Sequence, residues 1–255
     1  MDQPTPYPDV NLVLRMLLEG AQSILRDHFV GLYLYGSLAS GGFNPQTSDI
    51  DFLVATDADL SDDLIRDLEA LHVRLWNSDL KWAAKLEGAY VPLHTLRRHD
   101  PDSAPCPTIN EGRLYLDRQG SDWIIQRYIL REYGATVCGP SLKPLIDPVT
   151  PDDLRRAVAG VLREWWQPML ADPVRIRNRE YEVFAILSMC RALYALEYGD
   201  IVSKRVAAQW ALTTLDERWA ELIERAAAWP REPQAAHLNE TLDLIRYTIE
   251  HAAHR

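Results

Sequence analysis

The residues best suited to chemistry lie in the stretch LYGSLASGGFNPQTSDIDFLV, residues 34–54. It holds a glycine–serine pair, Gly36 and Ser37, and two aspartates one residue apart, Asp49 and Asp51. Side chains two positions apart on a strand point to the same face, so we expect the two carboxylates to converge. Two such carboxylates repel each other unless a cation lies between them. Mg²⁺ binds through carboxylates, its own waters and substrate phosphates, and the spacing therefore predicts a magnesium site.

The glycine–serine pair lies where an apolar strand ends and a helix is expected to begin. Glycine lets the backbone come close to a phosphate, and a serine hydroxyl with nearby backbone N–H groups can bind it. This order of elements, a strand, a Gly-Ser pair, a loop and then Asp-x-Asp, is therefore suited to binding a triphosphate. A metal ion would lie at one end of the triphosphate and backbone contacts at the other. An isolated Asp-x-Asp more often marks a solvated strand face, and the Gly-Ser pair is what favours the nucleotide interpretation.

A third carboxylate, Glu87, lies in the strand-like run KLEGAYVP. On a strand beside the aspartates it would either bind the metal or act as general base toward an attacking hydroxyl. The sequence does not fix the register of this strand, so both roles stay open here.

The elements that must position these residues alternate between helical and strand periodicity. We predict helices over residues 11–26, 61–76 and 122–134. We predict strands over residues 30–36, 49–56 and 85–96. Pro92 interrupts the last of these strands, which places it near a sheet edge. The proline-rich stretch 97–112 is predicted to be a surface loop.

The second half of the chain has helical periodicity throughout. The predicted helices cover residues 151–170, 179–198, 204–212, 216–229 and 235–253. A proline-rich segment near residue 150 separates the halves. We therefore predict an α+β fold: a domain over 1–150 with a small mixed sheet flanked by helices, then an all-helical domain over 151–255.

Charge and composition narrow the function. The chain has 255 residues and a net charge of −10, most of it in residues 1–150. No basic stripe is visible, which argues against a nucleic-acid partner. An acidic cleft would attract a cationic substrate, although acidic surfaces also serve solubility. The chain is expected to be a monomer.

Cysteine usage and apolar runs bear on localisation. Cys106, Cys138 and Cys190 form neither a zinc pattern nor a disulfide framework. A reducing cytoplasm suits them. The N-terminal MDQPTPYPDV is not typical of a signal peptide, and no apolar run reaches the roughly 18 residues of a membrane span.

The spacing Gly-Ser, eleven residues, Asp-x-Asp resembles the signature of the polymerase-β-type nucleotidyltransferases. The segment 179–212 resembles the C-terminal helical domain of aminoglycoside adenylyltransferases of the streptomycin and spectinomycin type. The matching features are Cys190-Arg191, Gly199, Ser203-Lys204 and the run AAQWAL. The resemblance covers most of the chain and is strongest over 33–54 and 122–212.

The resemblance implies Mg²⁺-dependent transfer of AMP from ATP to a hydroxyl of a small cationic aminoglycoside. By position it assigns Asp49 and Asp51 to metal binding, Gly36 and Ser37 to phosphate contacts, Glu87 to the catalytic base, and Arg191 and Lys204 to the nucleotide phosphates.

The substrate side departs from the family. In the family, an acidic residue ten positions before the matched arginine contacts the aminoglycoside. Here that position is Tyr181, flanked by Glu180 and Glu182. At about 100° per residue, Glu180 lies on one stripe with Phe184, Ser188 and Arg191. All three residues from 180 to 182 are candidate substrate contacts, and Glu180 is one replacement for the missing acid. A pocket for a different substrate is the alternative.

The family's substrate-stacking tryptophan has no clear counterpart. Trp123 and Tyr115 lie nearby in the sequence, and we expect both to be core aromatics.

Three other functions remain open. One is adenylyl transfer to another small alcohol or to a protein hydroxyl, which the departure at Tyr181 motivates. Another is a catalytically silent nucleotide-binding protein, which the presence of all three carboxylates argues against. A tRNA- or DNA-acting enzyme is weaker, because no basic stripe is visible.

Overall fold

The computed structural model describes residues 3–229 and 237–253. The chain forms two compact units. The first unit consists of residues 1–119 and 126–148, and the second of residues 120–125 and 149–255. The sequence placed one boundary near residue 150, whereas the contacts also assign residues 120–125 to the second unit.

The first unit is built on a six-stranded mixed sheet in the order β5-β4-β3-β2-β1-β6. Its strands are β1 (Phe29–Leu34), β2 (Ile50–Thr56), β3 (Leu86–Pro92), β4 (Cys106–Asn110), β5 (Arg113–Asp117) and β6 (Ala135–Cys138). The helices of this half are α1 (Pro8–Leu25), α2 (Gly36–Ala39), α3 (Asp62–Trp76), α4 (Leu93–Arg97) and α5 (Asp122–Tyr133). β2 and β3 are parallel, because a helical crossover joins them, and the other neighbouring pairs are antiparallel.

One face of this sheet is covered by α1 and α3. Ile50, Phe52 and Val54 of β2 are fully buried there, in one apolar cluster with Leu68 and Leu71 of α3. The start of α3 is as predicted, since the Ser61 side chain accepts a hydrogen bond from the backbone N–H of Leu64. Because strand side chains alternate, residues such as Asp51 are directed to the opposite face.

The covered face contains one buried histidine. The Nε2 atom of His72, in α3, lies 2.8 Å from the Tyr90 hydroxyl oxygen, and the His72 ring stacks on Phe52. Burial lowers the pKa of His72 from 6.5 to about 4. The folded protein therefore holds this side chain neutral at pH values where the unfolded chain is already protonated.

This burial predicts acid sensitivity. The contribution of neutral His72 to stability is complete above the unfolded pKa and is lost as the pH falls through 6.5 toward 4. The free energy of unfolding should therefore be lower by about 2 kcal/mol at pH 5 than at pH 7.5. Urea unfolding of the wild type and of His72→Gln at both pH values should show a smaller loss in the variant. Equal losses in the two proteins would contradict the assignment.

Two features of the sheet differ from the predictions. β3 is a central strand, and Pro92 is its last residue, so the expected place near an edge is wrong. The stretch 97–112, expected to be a surface loop, is irregular over residues 98–105, but its residues 106–112 form β4 and the turn of the β4–β5 hairpin. Glu111 and Gly112 make its two-residue turn with φ values of 48° and 72°, as a type I′ turn requires.

A buried arginine anchors the helix that follows β3. Arg127 of α5 is only 2% exposed. Its guanidinium donates to the carbonyl oxygens of Thr95 and Leu96 in α4 and to the side-chain oxygen of Gln119. These bonds satisfy carbonyl groups that a five-residue helix cannot pair internally.

The second unit is helical, which together with the mixed sheet confirms the predicted fold class. Its helices are α6 (Pro151–Val161), α7 (Gln167–Ala171), α8 (Arg179–Tyr198), α9 (Lys204–Thr214), α10 (Ala220–Ala228) and α11 (Leu238–Ala253). A π-helical turn, Leu162–Trp166, joins α6 to α7. α8 has the predicted bounds, with the Asn178 side chain capping its start and Gly199 in the left-handed conformation at its end. The first two residues of the helix predicted over 235–253 lie outside the described part of the chain. None of the described helices is long and apolar enough to span a bilayer.

Candidate active site

Asp51 and Glu87 lie opposite each other on neighbouring strands. Asp51 is the second residue of β2 and Glu87 the second residue of β3, and the parallel pairing puts them in register. Ile50 and Leu86, the preceding pair, are buried on the other face. Both carboxylates therefore lie on the same face of the sheet, and the structure supplies the register that the sequence left open.

Asp49 precedes β2 by one residue and is paired with a cation from the chain. The Lys85 Nζ lies 3.0 Å from Asp49 Oδ1, and both side chains are partly exposed. Lys85 was not among the predicted site residues. The alternation of a strand offered a signal for it, since Lys85 precedes Glu87 by two positions.

Gly36 brings the backbone against the Asp51 carboxylate. It begins α2 with φ at +62°, and an added Cβ would lie 1.9 Å from Asp51 Oδ2. The backbone N–H of Tyr35 also donates to the Asp51 carbonyl oxygen at 3.1 Å. Ser37 is the next residue, in the single turn of α2. The predicted Gly-Ser pair thus adjoins the predicted metal ligand Asp51.

This close approach yields a stability prediction with a matched control. Gly36→Ala and Gly41→Ala both place a side chain at positive φ, but nothing lies within 4 Å of a Cβ at Gly41. We expect Gly36→Ala to lower the free energy of unfolding by about 1–3 kcal/mol more than Gly41→Ala, because only the former overpacks. Urea denaturation of both variants measures this difference. Equal destabilisation of the two variants would show that the Asp51 side chain moves aside without a cost in free energy.

The three carboxylates act on one another electrostatically. Burial first, and then the negative charges of Asp49 and Asp51, raise the pKa of Glu87 to about 7, against the opposing effect of the Lys85 ammonium. A carboxyl group with such a pKa takes up and releases a proton near neutrality, as a general base must.

The carboxylates of Asp49 and Asp51 fit a Mg²⁺ ion that takes its remaining ligands from water and substrate phosphates. Across residues 3–229 and 237–253, no three His, Cys, Asp or Glu side chains are grouped so as to hold a metal ion. Mg²⁺ sites in phosphoryl-transfer proteins commonly take only one or two carboxylates, and the remaining ligands are waters and phosphates. One of these carboxylates, Asp49, is paired with the Lys85 ammonium. Asp49 and Asp51 are the residues that would hold the ion.

In the second unit, α8 carries four of the predicted site residues, and they do not share one side of the helix. These residues are Glu180, Tyr181, Glu182 and Arg191. Val183, Ile186, Cys190 and Leu193 form the buried apolar side of this helix. Arg191 is half-buried, and Glu180 is exposed in the first turn.

Glu182 is placed differently from the prediction. Its side chain is 0% exposed and forms an ion pair with Arg179 at 2.8 Å. The same carboxylate accepts a hydrogen bond from the backbone N–H of His237 and another from the Thr241 hydroxyl of α11. Glu182 therefore joins α8 to α11 and has no surface to offer a substrate, so this candidate substrate contact is corrected.

Tyr181 lies in an aromatic cluster that the sequence pattern did not predict. Its hydroxyl accepts a hydrogen bond from Trp165 Nε1 at 3.1 Å. Its ring packs against Trp166 and Phe184. Lys204, the first residue of α9, lies with its ammonium 4.1 Å from the centroid of the Phe184 ring. The departure from an acid at position 181 thus produces an aromatic surface.

The other two aromatic residues considered have different environments. Trp123 is buried, as expected for a core residue, whereas Tyr115 is 44% exposed on β5. Burial, Asp117 and Glu87 together raise the pKa of Tyr115. Tyr115 is therefore close to the carboxylate cluster and is not a core aromatic.

Family models match both halves of the chain. Residues 14–103 match a nucleotidyltransferase domain, and residues 144–255 match the aminoglycoside adenylyltransferase C-terminal domain.

Curated proteins and a solved structure agree with these matches. The chain is 24% identical to a spectinomycin 9-adenylyltransferase of Campylobacter jejuni, over 81% of this chain and 80% of that protein. It is 28% identical to an aminoglycoside (3'') (9) adenylyltransferase of Klebsiella pneumoniae, over 79% and 78%. The fold matches that of a spectinomycin adenyltransferase from Enterococcus faecialis, solved with ATP and spectinomycin. The TM-score is 0.76 at 19% identity, covering 94% of this chain and 98% of that one.

Proposed function

Because this chain is a nucleotidyltransferase with a helical domain of the aminoglycoside adenylyltransferase family, we propose that it transfers AMP from ATP to a hydroxyl of an aminoglycoside, releasing pyrophosphate. The observation that carries the proposal is the register of Asp51 with Glu87 beside the Gly36 backbone. That arrangement combines a metal ligand, a base and a phosphate-binding turn on one sheet face. The relatives that carry adenylyltransferase names support AMP as the group transferred.

The chemistry assigns each residue a separate task. Glu87 accepts the proton of the acceptor hydroxyl as its oxygen forms a bond to the α-phosphorus of ATP. The bond between that phosphorus and the bridging oxygen breaks, and the electron pair leaves with pyrophosphate. Mg²⁺ bound by Asp49 and Asp51 would neutralise part of the triphosphate charge. Most of the rate gain would come from positioning and charge neutralisation.

The phosphates require further positive charge and backbone contacts. The Gly36 backbone and the Ser37 hydroxyl are assigned to a phosphate. Arg191 and Lys204, carried by the second unit, are assigned to the triphosphate, whose charge of about −4 exceeds what one Mg²⁺ offsets.

One observation favours a second acceptor class. Tyr181 with Trp165 and Phe184 forms an aromatic surface, packed on the buried Trp166, where the family has an acid, and Glu182 is buried. Glu180 is then the exposed carboxylate left among the three candidates on α8. Adenylyl transfer to an acceptor bound mainly by ring stacking is the alternative.

Mass spectrometry of the purified protein with ATP, Mg²⁺ and a panel including spectinomycin and streptomycin tests the proposal. A product heavier by one AMP, absent with Glu87→Ala, is the expected result. No product from any aminoglycoside while ATP still binds would move the search to other hydroxyl acceptors. Failure to bind ATP at all would overturn the nucleotidyl-transfer proposal.

A further inference from the structure

The ion pair between Lys85 and Asp49 joins two points of the chain whose backbone is held in place. Lys85 ends a single 3₁₀ turn, and its backbone N–H donates to the carbonyl oxygen of the buried Trp82 at 3.1 Å. The loop before Asp49 is closed by the Ser48 backbone N–H, which donates to the Asn44 carbonyl oxygen at 2.9 Å. The pair therefore forms at the expense of side-chain entropy, and neither backbone segment has to be ordered for it.

Neighbouring carboxylates add to the attraction on this ammonium. Asp51 and Glu87 lie side by side on the same face of the sheet. The charges of Asp49 and Asp51 raise the pKa of Glu87, and the charge of Lys85 opposes them, so all four groups act on one another. Lys85 thus neutralises part of the negative charge that a metal ion would neutralise.

The ammonium and a metal ion would use the same carboxylate. The Lys85 Nζ lies 3.0 Å from Asp49 Oδ1. A Mg²⁺ ion bound to Asp49 would lie about 2.1 Å from a carboxylate oxygen, so the two cations would be roughly 4–6 Å apart and would repel each other. The metal ion must therefore displace the ammonium or bind against its repulsion, and either costs affinity.

We propose that Lys85 is an internal counter-ion of Asp49, which competes with the divalent metal for this carboxylate and lowers the metal affinity of the nucleotide-free protein. This inference rests on the proposed function, which assigns Asp49 to the metal. The ammonium keeps the carboxylates partly neutralised before any metal binds, and the metal site forms when the ion takes its place.

Titration of Mn²⁺ into the nucleotide-free protein, followed by water-proton relaxation, tests the inference. Mn²⁺ takes the same oxygen ligands as Mg²⁺ and reports binding without turnover. We expect Lys85→Met and Lys85→Gln to lower the Kd for Mn²⁺ about three- to fivefold, at the upper end of what an exposed ion pair contributes. Lys85→Arg keeps the charge and should stay within about twofold of wild type. A misfolded variant would bind the ion more weakly, so a gain in affinity does not arise from damage.

Lys81→Met is the matched control for the loss of charge. The Lys81 ammonium lies four positions earlier in the chain and donates to the Pro45 carbonyl oxygen at 3.3 Å, an uncharged partner. Its removal should change the Kd for Mn²⁺ by less than about twofold, because solvent screens an exposed charge. In the Asp49→Asn background, Lys85→Met should have no further effect on Mn²⁺ binding.

Two kinds of result would overturn the inference, and they differ in what else they remove. If Asp49→Asn leaves the affinity for Mn²⁺ unchanged, the assignment of Asp49 to the metal in the proposed function fails as well. If Asp49→Asn weakens Mn²⁺ binding but Lys85→Met does not tighten it, the competition is absent and the metal assignment stands. The same holds if Lys81→Met tightens binding equally, or if Lys85→Met acts equally in the Asp49→Asn background, since either shows a general effect of charge.

Discussion

Asp51→Asn is expected to lower kcat/KM for adenylyl transfer by about three orders of magnitude or more. Asparagine keeps the shape of the side chain but removes the negative charge that would hold Mg²⁺. Losing one of three neighbouring carboxylates also relieves repulsion, since Asp51 contributes to raising the pKa of Glu87. We expect the variant to stay folded, and urea unfolding measures whether any loss of activity can be ascribed to unfolding.

Asp57→Asn is the matched control for this variant. Asp57 directly follows β2 at its other end, is half-exposed and pairs with His28. Surface pairs of this kind contribute about 0–1 kcal/mol, so we expect nearly wild-type turnover. Steady-state kinetics and urea unfolding of both variants decide the matter. Full turnover in Asp51→Asn would show that the metal-site assignment is wrong.

Glu87→Gln is expected to lower kcat by about 10²–10⁴-fold, which is the usual contribution of a general base. Glutamine fills the same space opposite Asp51 but cannot accept the hydroxyl proton. The affinity for ATP should change little, because Glu87 acts on the acceptor. The loss should therefore appear in kcat and not in the Kd for ATP.

Single-turnover rates of Glu87→Gln and Glu111→Gln separate the base from a nearby carboxylate. Glu111 is an exposed hairpin residue whose charge also acts on Glu87. The same substitution at Glu111 should leave the chemical step within about threefold of wild type, because solvent screens the charge of an exposed side chain. A chemical step in Glu87→Gln that is as fast as in the control would assign the base elsewhere.

Local signals predicted the bounds of α3 and α8, whereas α4 lies where a strand was expected. α3 begins after its Ser61 cap, and α8 runs from its Asn178 cap to Gly199, because each end carries its own side-chain or backbone signal. The β4–β5 hairpin was missed because its turn is Glu111-Gly112, whereas asparagine or aspartate before glycine is the typical sequence.

The candidate site was predictable in its residue types and not in its arrangement. The alternation around Asp51 indicated which face it occupies, but the register with Glu87 is set by the crossover through α3, which no local pattern encodes. A glutamate at position 182 is expected at the surface of an isolated helix. Its burial depends on Arg179 and on a backbone N–H 55 residues later, so it follows from tertiary packing.

The buried guanidinium of Arg127 shows that the segment matched by sequence similarity is shorter than the segment that must fold together. The nucleotidyltransferase match ends at residue 103, yet the carbonyl groups of Thr95 and Leu96 depend on a donor that the ribosome adds more than twenty residues later. A nascent chain, or a fragment cut at residue 103, leaves these carbonyls without that donor and leaves β1 without its β6 neighbour. Truncated versions intended to isolate the carboxylate-bearing sheet should therefore extend through residue 148, where the first unit ends.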